Sequence, residues 1–216
     1  MQTEMRKRIA NLTSNILNPF WVSLVIILLL SFASASSTLD ALRWALISMA
    51  LSILPVFLVT VYLVRNGRLD AVFTNVRGQR TKIYLLAGLC AVVGCIILTY
   101  LRAPSILVAA FIAGLSAVVL FMCINLWWKI SLHTAIVAAS VTVLVMLYGW
   151  IAAVTVVLVP LMAWARIQLK YHSLAQVATG ALLGTLIVVV VFYPVCSGLS
   201  PFFTAAWVTA IINWSL

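Results

Sequence analysis

Two histidines occur in this chain, and both stand beside cationic side chains at the edge of a long apolar run. His172 belongs to a short basic island, Ala165-Arg166-Ile167-Gln168-Leu169-Lys170-Tyr171-His172-Ser173-Leu174-Ala175-Gln176, set between two such runs. His133 ends the stretch Lys129-Ile130-Ser131-Leu132-His133, just before another. An imidazole near its reference pKa can act as a nucleophile or a proton donor at neutral pH. Guanidinium forks match phosphate oxygens in pairs, and a helix start near Ser131 offers backbone N–H donors to an anion. Imidazoles, guanidinium groups, an ammonium and a hydroxyl make a kit for phosphoryl transfer without a metal.

Composition narrows the setting. The chain has 216 residues, 66% of them hydrophobic and 7% charged, and its apolar runs recur at about the length that crosses a bilayer. The expectation is an all-α, polytopic transmembrane helix bundle. Only three acidic residues exist, Glu4, Asp40 and Asp70. A Mg²⁺ or Ca²⁺ site draws on several carboxylates, and glycosidase-type acid/base work needs a pair of them. Metal-dependent transferases and paired-carboxylate hydrolases are therefore set aside, and no metal and no cofactor are expected. The net charge of +10 is spread over short loops, where it orients a membrane protein and holds anions; no nucleic-acid partner is expected. Cys90, Cys95, Cys123 and Cys196 lack paired metal spacing and read as small hydrophobes.

In chain order, residues 1–18 form a polar N-terminus with Arg6-Lys7-Arg8, and residues 19–216 form a single transmembrane domain. The first apolar run, about 19–35, imitates a signal peptide but reads as an uncleaved first helix, because many runs come after it. Further runs lie at about 41–64, 83–101 and 104–127. The stretch from about 134 to 165 is too long for one crossing, and Gly149-Trp150 is its natural turn. A last helix covers about 173–195, with Gly180 and Gly184 at the spacing that lets membrane helices approach closely. This gives about seven spanning helices, plus an apolar tail at 201–216 that is either an eighth helix or an interfacial segment.

Alternating crossings place the N-terminus, the 65–82 loop, the Lys129–His133 stretch and the 166–172 island on one face. That face carries eleven of the thirteen basic residues, and Arg43 and Arg102 alone fall on the other. The positive-inside rule makes the first face cytoplasmic. With Arg77, Arg80, Lys82, Lys129, Arg166 and Lys170 set aside as possible phosphate ligands, five against two still gives the same answer.

The two histidine segments resemble motifs of the type 2 phosphatidic acid phosphatases, a membrane branch of the vanadium-haloperoxidase superfamily. The family's third motif is Ser-Arg, five residues, His, three residues, Asp; here Ala165-Arg166 is followed at the same spacing by His172 and then Gln176. The second motif, Pro-Ser-Gly-His, aligns with Ile130-Ser131-Leu132-His133. The resemblance implies His172 as the phosphorylated nucleophile, His133 as the acid for the leaving alcohol, and Arg166 and Ser131 as phosphate ligands. The first motif, Lys, six residues, Arg-Pro, is missing. Arg80-Thr81 is its nearest match, Phe73 stands where the Lys belongs, and Arg77, Lys82 or Lys129 could supply the charge. Gln176 replaces the orienting Asp. Positions i and i+4 share a helix face, so its amide oxygen can accept from His172 Nδ1–H, without the charge that would stabilise an imidazolium.

The resulting expectation is an integral membrane phosphatase acting on a lipid phosphate or prenyl diphosphate, with its site on the cytoplasmic face. Two other readings stand beside it: a related protein that binds a phosphorylated lipid without hydrolysing it, and a small transporter. Against the transporter, the helix interiors lack the charged residue that ion coupling requires.

Overall fold

The structure is a computed structural model and describes residues 2–74 and 76–197, without the side chains of residues 2, 3 and 77. The tail expected at 201–216 lies outside the described residues. Those described form helices and connecting turns, with no strand among them. The polar N-terminus is itself a helix, α1 (Gln2–Ile16), where the sequence pattern had indicated no element. Asn18 then caps α2 (Pro19–Ser34), its side-chain oxygen accepting from the N–H groups of Phe20 and Trp21 at 3.0 and 3.1 Å. Proline at the first helical position fits this start, and the axis bends by 42° between α1 and α2.

Helices α3 (Thr38–Leu51) and α4 (Ile53–Arg65) make up the second apolar run, broken at Ser52, whose hydroxyl donates to the Ser48 carbonyl. A loop leads to α5 (Arg77–Tyr100), and a tight turn to α6 (Ser105–Asn125). Helix α7 (Leu132–Tyr148) ends at Gly149, whose φ of +61° is easy only without a Cβ. A 3₁₀ segment (Gly149–Val157) and α8 (Leu158–Gln168) return along α7, so that Val137 and Val141 pack on Met162. Helix α9 (Leu174–Cys196) comes last among the described elements.

Five helical stretches among the described residues are long and apolar enough to cross a membrane, and the bent α1–α2 pair makes a sixth. Leu132–Gln168, 37 residues long, counts once among the five, and it turns back at Gly149, the turn expected between two helices. Its two arms, α7 and the 3₁₀–α8 segment, lie against each other. The outer surface is apolar, with Leu89, Ile96, Leu182 and Val190 all more than half exposed. Such a surface suits lipid rather than water.

Two close approaches build the interior around the histidine segments. A Cβ on Gly180 would stand 2.6 Å from the Ser131 carbonyl oxygen, and one on Gly184 would run into the carbonyl of Ala135. The backbones of α7 and α9 therefore touch, at the small residues expected to allow it. One buried cluster, with Tyr84, Phe121, Ile130 and Ala135, lies beneath the start of α7. A larger one, with Leu30, Leu98, Leu107, Phe111, Val143, Val188 and Phe192, fills the other half of the bundle.

Candidate active site

Contact between α7 and α9 brings the two histidine segments together. Ser131 caps α7, its hydroxyl 2.9 Å from that of Thr134, and its N–H donates to the Gln176 carbonyl at 3.3 Å. His133 is thus fixed in the first turn of α7, 4% exposed. Across from it, α8 ends in a turn in which Tyr171 N–H donates to the Arg166 carbonyl and Lys170 takes a φ of +57°. This pattern satisfies the last carbonyls of a helix, and it folds His172 back inside, 7% exposed. Ser173 next caps α9, in a capping box with Gln176.

His133, His172, Arg166 and Arg80 line one cavity of about 390 Å³. Arg166, in the last turn of α8, is 5% exposed. One of its terminal nitrogens donates to Ser14 Oγ at 2.9 Å, its guanidinium lies 4.6 Å from the centre of the Tyr171 ring, and its Nε has no hydrogen-bond partner among the described residues. A buried guanidinium with an unmatched donor is costly unless an anion completes it. Arg80, in the first turn of α5, is held by a bond from Nε to the Thr74 carbonyl at 3.0 Å. Thr74 is in turn tied to Gln79, whose side-chain oxygen accepts from the Thr74 hydroxyl and the Asp70 N–H.

The Nδ1 of His172 lies 3.1 Å from Gln176 Oε1, which also accepts from the Ser173 N–H at 3.2 Å. With Nδ1–H donating to the amide, Nε2 is the free nitrogen. Burial first, and then the charge of Arg166, push the His172 pKa down to about 3, against a smaller opposing effect of the Gln176 bond. Lys129 and Arg80, both cationic, add to the depression. A neutral imidazole with a free Nε2 is the nucleophilic form. Lys129 is half-buried, and burial together with the charges of Arg80 and Arg166 lowers its pKa.

The other expected residues are placed differently. Ser131 is fully buried and not on the cavity wall; its hydroxyl serves the cap. Lys129 is near the cluster but also off the wall. The side chain of Arg77 lies outside the described residues. Phe73, at the position of the missing motif lysine, sets its ring edge-on to His133 with centroids 4.6 Å apart and packs on Phe20. Three contributors had no mark in the sequence pattern: Ser14, Tyr171 and Tyr84, the last a buried wall residue one turn after Arg80. The capping box was legible as Ser-x-x-Gln before an apolar run; nothing local marks Ser14. Among the described residues no three metal-ligating side chains gather at one place.

Comparison with protein-family models, curated proteins and solved structures returns no match to this chain.

Proposed function

We propose that this protein is an integral membrane phosphohydrolase that cleaves a lipid phosphate or prenyl diphosphate through a phosphohistidine, as its likeness to the type 2 phosphatidic acid phosphatases implies. The observation that carries this reading is one cavity whose wall joins two buried imidazoles and two guanidinium groups to an apolar interior. A phosphate there would supply the negative charge that the buried, incompletely bonded Arg166 lacks.

In this mechanism Arg166 and Arg80 hold the phosphate oxygens, and His172 Nε2 attacks phosphorus as the bond to the leaving oxygen breaks. That oxygen takes its proton from His133. Water then attacks the phosphohistidine and gives a proton to His133, so that the bond from Nε2 to phosphorus breaks, phosphate is freed and both histidines are restored. Gln176 fixes the tautomer but brings no charge, so the imidazolium character of the intermediate rests on less support than a carboxylate would give. The charge distribution supports a site on the cytoplasmic face.

The test is phosphate release by the purified protein, with EDTA present, from phosphatidic acid, phosphatidylglycerol phosphate and prenyl diphosphates. Trapping of acid-labile, base-stable phosphate on the protein should accompany turnover. His172→Ala should lower turnover at least about a thousandfold; retained activity would remove His172 from the nucleophile's role. The neutral Gln176, shared between two N–H donors, favours one second reading, a protein that binds the phosphorylated lipid without turnover. Binding with no release from any of these lipids would establish it. Reagents that label the 65–82 loop from outside intact cells would reverse the assigned side.

A further inference from the structure

The cavity does not stop at the basic cluster. From His133 its wall continues along α7 to Val143, and along α6 from Phe121 down to Phe111. Each path covers ten residues, or about 15 Å at the rise of an α-helix. Small side chains hollow out this path, among them Ala87 on α5, Gly114 on α6 and Ala139 on α7. A Cβ added to Gly114 would meet nothing within 4 Å, so the space beside it is open. Far from His133 the wall carries Leu30, Phe111 and Phe192, which belong to the larger buried cluster and are 1%, 6% and 1% exposed. The Phe111 ring fills the notch at Gly94, where a Cβ would collide with it, so this part of the wall is braced from behind.

We propose that the cavity is a slot for a single hydrocarbon chain, and that the phosphorylated lipid it selects carries one chain of limited length rather than two. This rests on the phosphate reading of the basic cluster and adds which lipid that cluster serves. The volume of about 390 Å³ lies at the small end of the roughly 300–1,000 Å³ that houses one compact ligand. The mouth is cationic, with the unpartnered, buried Nε of Arg166 at its rim, and the body is apolar. A one-chain amphiphile, prenyl or alkyl, places its phosphate at the rim and its chain along the slot. A second chain finds no matching space, and a chain longer than the slot meets Phe111 and Phe192.

Cys90 lies on the wall of the slot and gives a readout that does not depend on turnover. In a variant with Cys95, Cys123 and Cys196 replaced by Ala, the rate at which a small maleimide modifies Cys90 is measured in the presence of n-alkyl phosphonates of rising length. These are not hydrolysed. Protection should strengthen with chain length and then level off or reverse where Phe111 and Phe192 are reached, and two-chain phosphatidic acid should protect at least about tenfold less well. Gly114→Leu, whose Cβ would meet nothing within 4 Å, should shorten the longest chain accepted; Phe111→Ala should lengthen it. Equal protection by phosphatidic acid, or a length limit unmoved by Gly114→Leu, overturns the proposal. Protection by single-chain phosphonates with no turnover of any lipid keeps the slot and removes the phosphatase. Turnover without protection of Cys90 by any chain does the reverse.

Discussion

Helices α5 and α8 end in the same backbone turn, at opposite ends of the bundle. At the end of α8, Tyr171 N–H donates to the Arg166 carbonyl at 3.1 Å, Lys170 N–H donates to Ile167 at 2.9 Å, and Lys170 takes a φ of +57°. At the end of α5, Ala103 N–H donates to Leu98 at 2.8 Å, Arg102 N–H donates to Thr99 at 3.1 Å, and Arg102 takes a φ of +55°. Each is a Schellman closure with a basic residue where glycine is usual. Aligned on the turn, Arg166 corresponds to Leu98, Tyr171 to Ala103 and His172 to Pro104. Leu98 is fully buried in the larger apolar cluster with Ala103 packed on it, whereas Arg166 is buried beneath the Tyr171 ring, facing the cavity. The turn is a device for stopping a helix; what it presents is decided by the side chains one turn before it and just after it.

Exchanging the corresponding residues is the strongest way to break this comparison. Arg166→Leu gives the α8 turn the residue of the α5 turn. Turnover of lipid phosphate should fall at least about a hundredfold, because the phosphate loses its fork. The thermal midpoint in detergent should hold or rise, since a buried charge with an unmatched nitrogen is removed. Full activity in this variant would show that Arg166 only packs. The reverse exchange, Leu98→Arg, buries an unmatched charge in the apolar cluster and should cost on the order of 3–5 kcal/mol.

The two turns also separate by pH. The His172 pKa sits at about 3, below the ordinary 6.5, through burial and the Arg166 charge. Its folded-state value is below its unfolded one, so stability is complete above about pH 6.5 and is lost as pH falls from there toward 3. The loss should approach about 1.4 kcal/mol per pH unit within that window. His172→Gln should remove that slope, as Pro104 already does at the other turn. An unchanged slope would place the acid sensitivity elsewhere.

Gln176 probes the start of α9, just beyond the turn. Gln176→Ala breaks the capping box and should destabilise the protein by about 1 kcal/mol. It should also slow turnover about tenfold, because the imidazole loses the acceptor that fixes its tautomer. Gln176→Glu preserves the box and places an acceptor with charge beside Nδ1. It should recover the lost stability and raise the His172 pKa, read from the acid limb of kcat/KM.

The smallest effect should be shared by both turns. Lys170→Gly and Arg102→Gly each relieve a left-handed conformation that costs an L-residue roughly 1–2 kcal/mol. Glycine returns part of that as unfolded-state freedom. Each should therefore gain about 1 kcal/mol or less, and Lys170→Gly should leave turnover within about twofold. Unequal gains would mean that one basic side chain supports its turn through contacts of its own.

Much of the helix order was legible in the chain because hydropathy and length act locally. The return at Gly149, the close packing at Gly180 and Gly184, and the paired spacing of His172 and Gln176 are of this kind. The N-terminal helix was not legible, because a polar stretch with Arg6-Lys7-Arg8 carries no apolar run to announce it. Ser131 was legible as a polar residue at a helix start, but whether its hydroxyl serves the cap or the cavity depends on the direction in which α7 leaves the cap.

The sequence by itself determined an all-helical chain built from membrane-length apolar stretches, with its cations gathered into a few short segments, because those are properties of neighbouring residues. Only the tertiary structure decided that Arg166 is buried with one nitrogen on Ser14, 152 positions away, and one nitrogen unmatched. It also decided that Phe73 leans on His133 and that burial first, and then the neighbouring cations, lower the proton affinity of His172. Burial and Coulomb effects depend on distances between segments remote in the chain, and those distances are fixed by how α1, α5, α7, α8 and α9 pack.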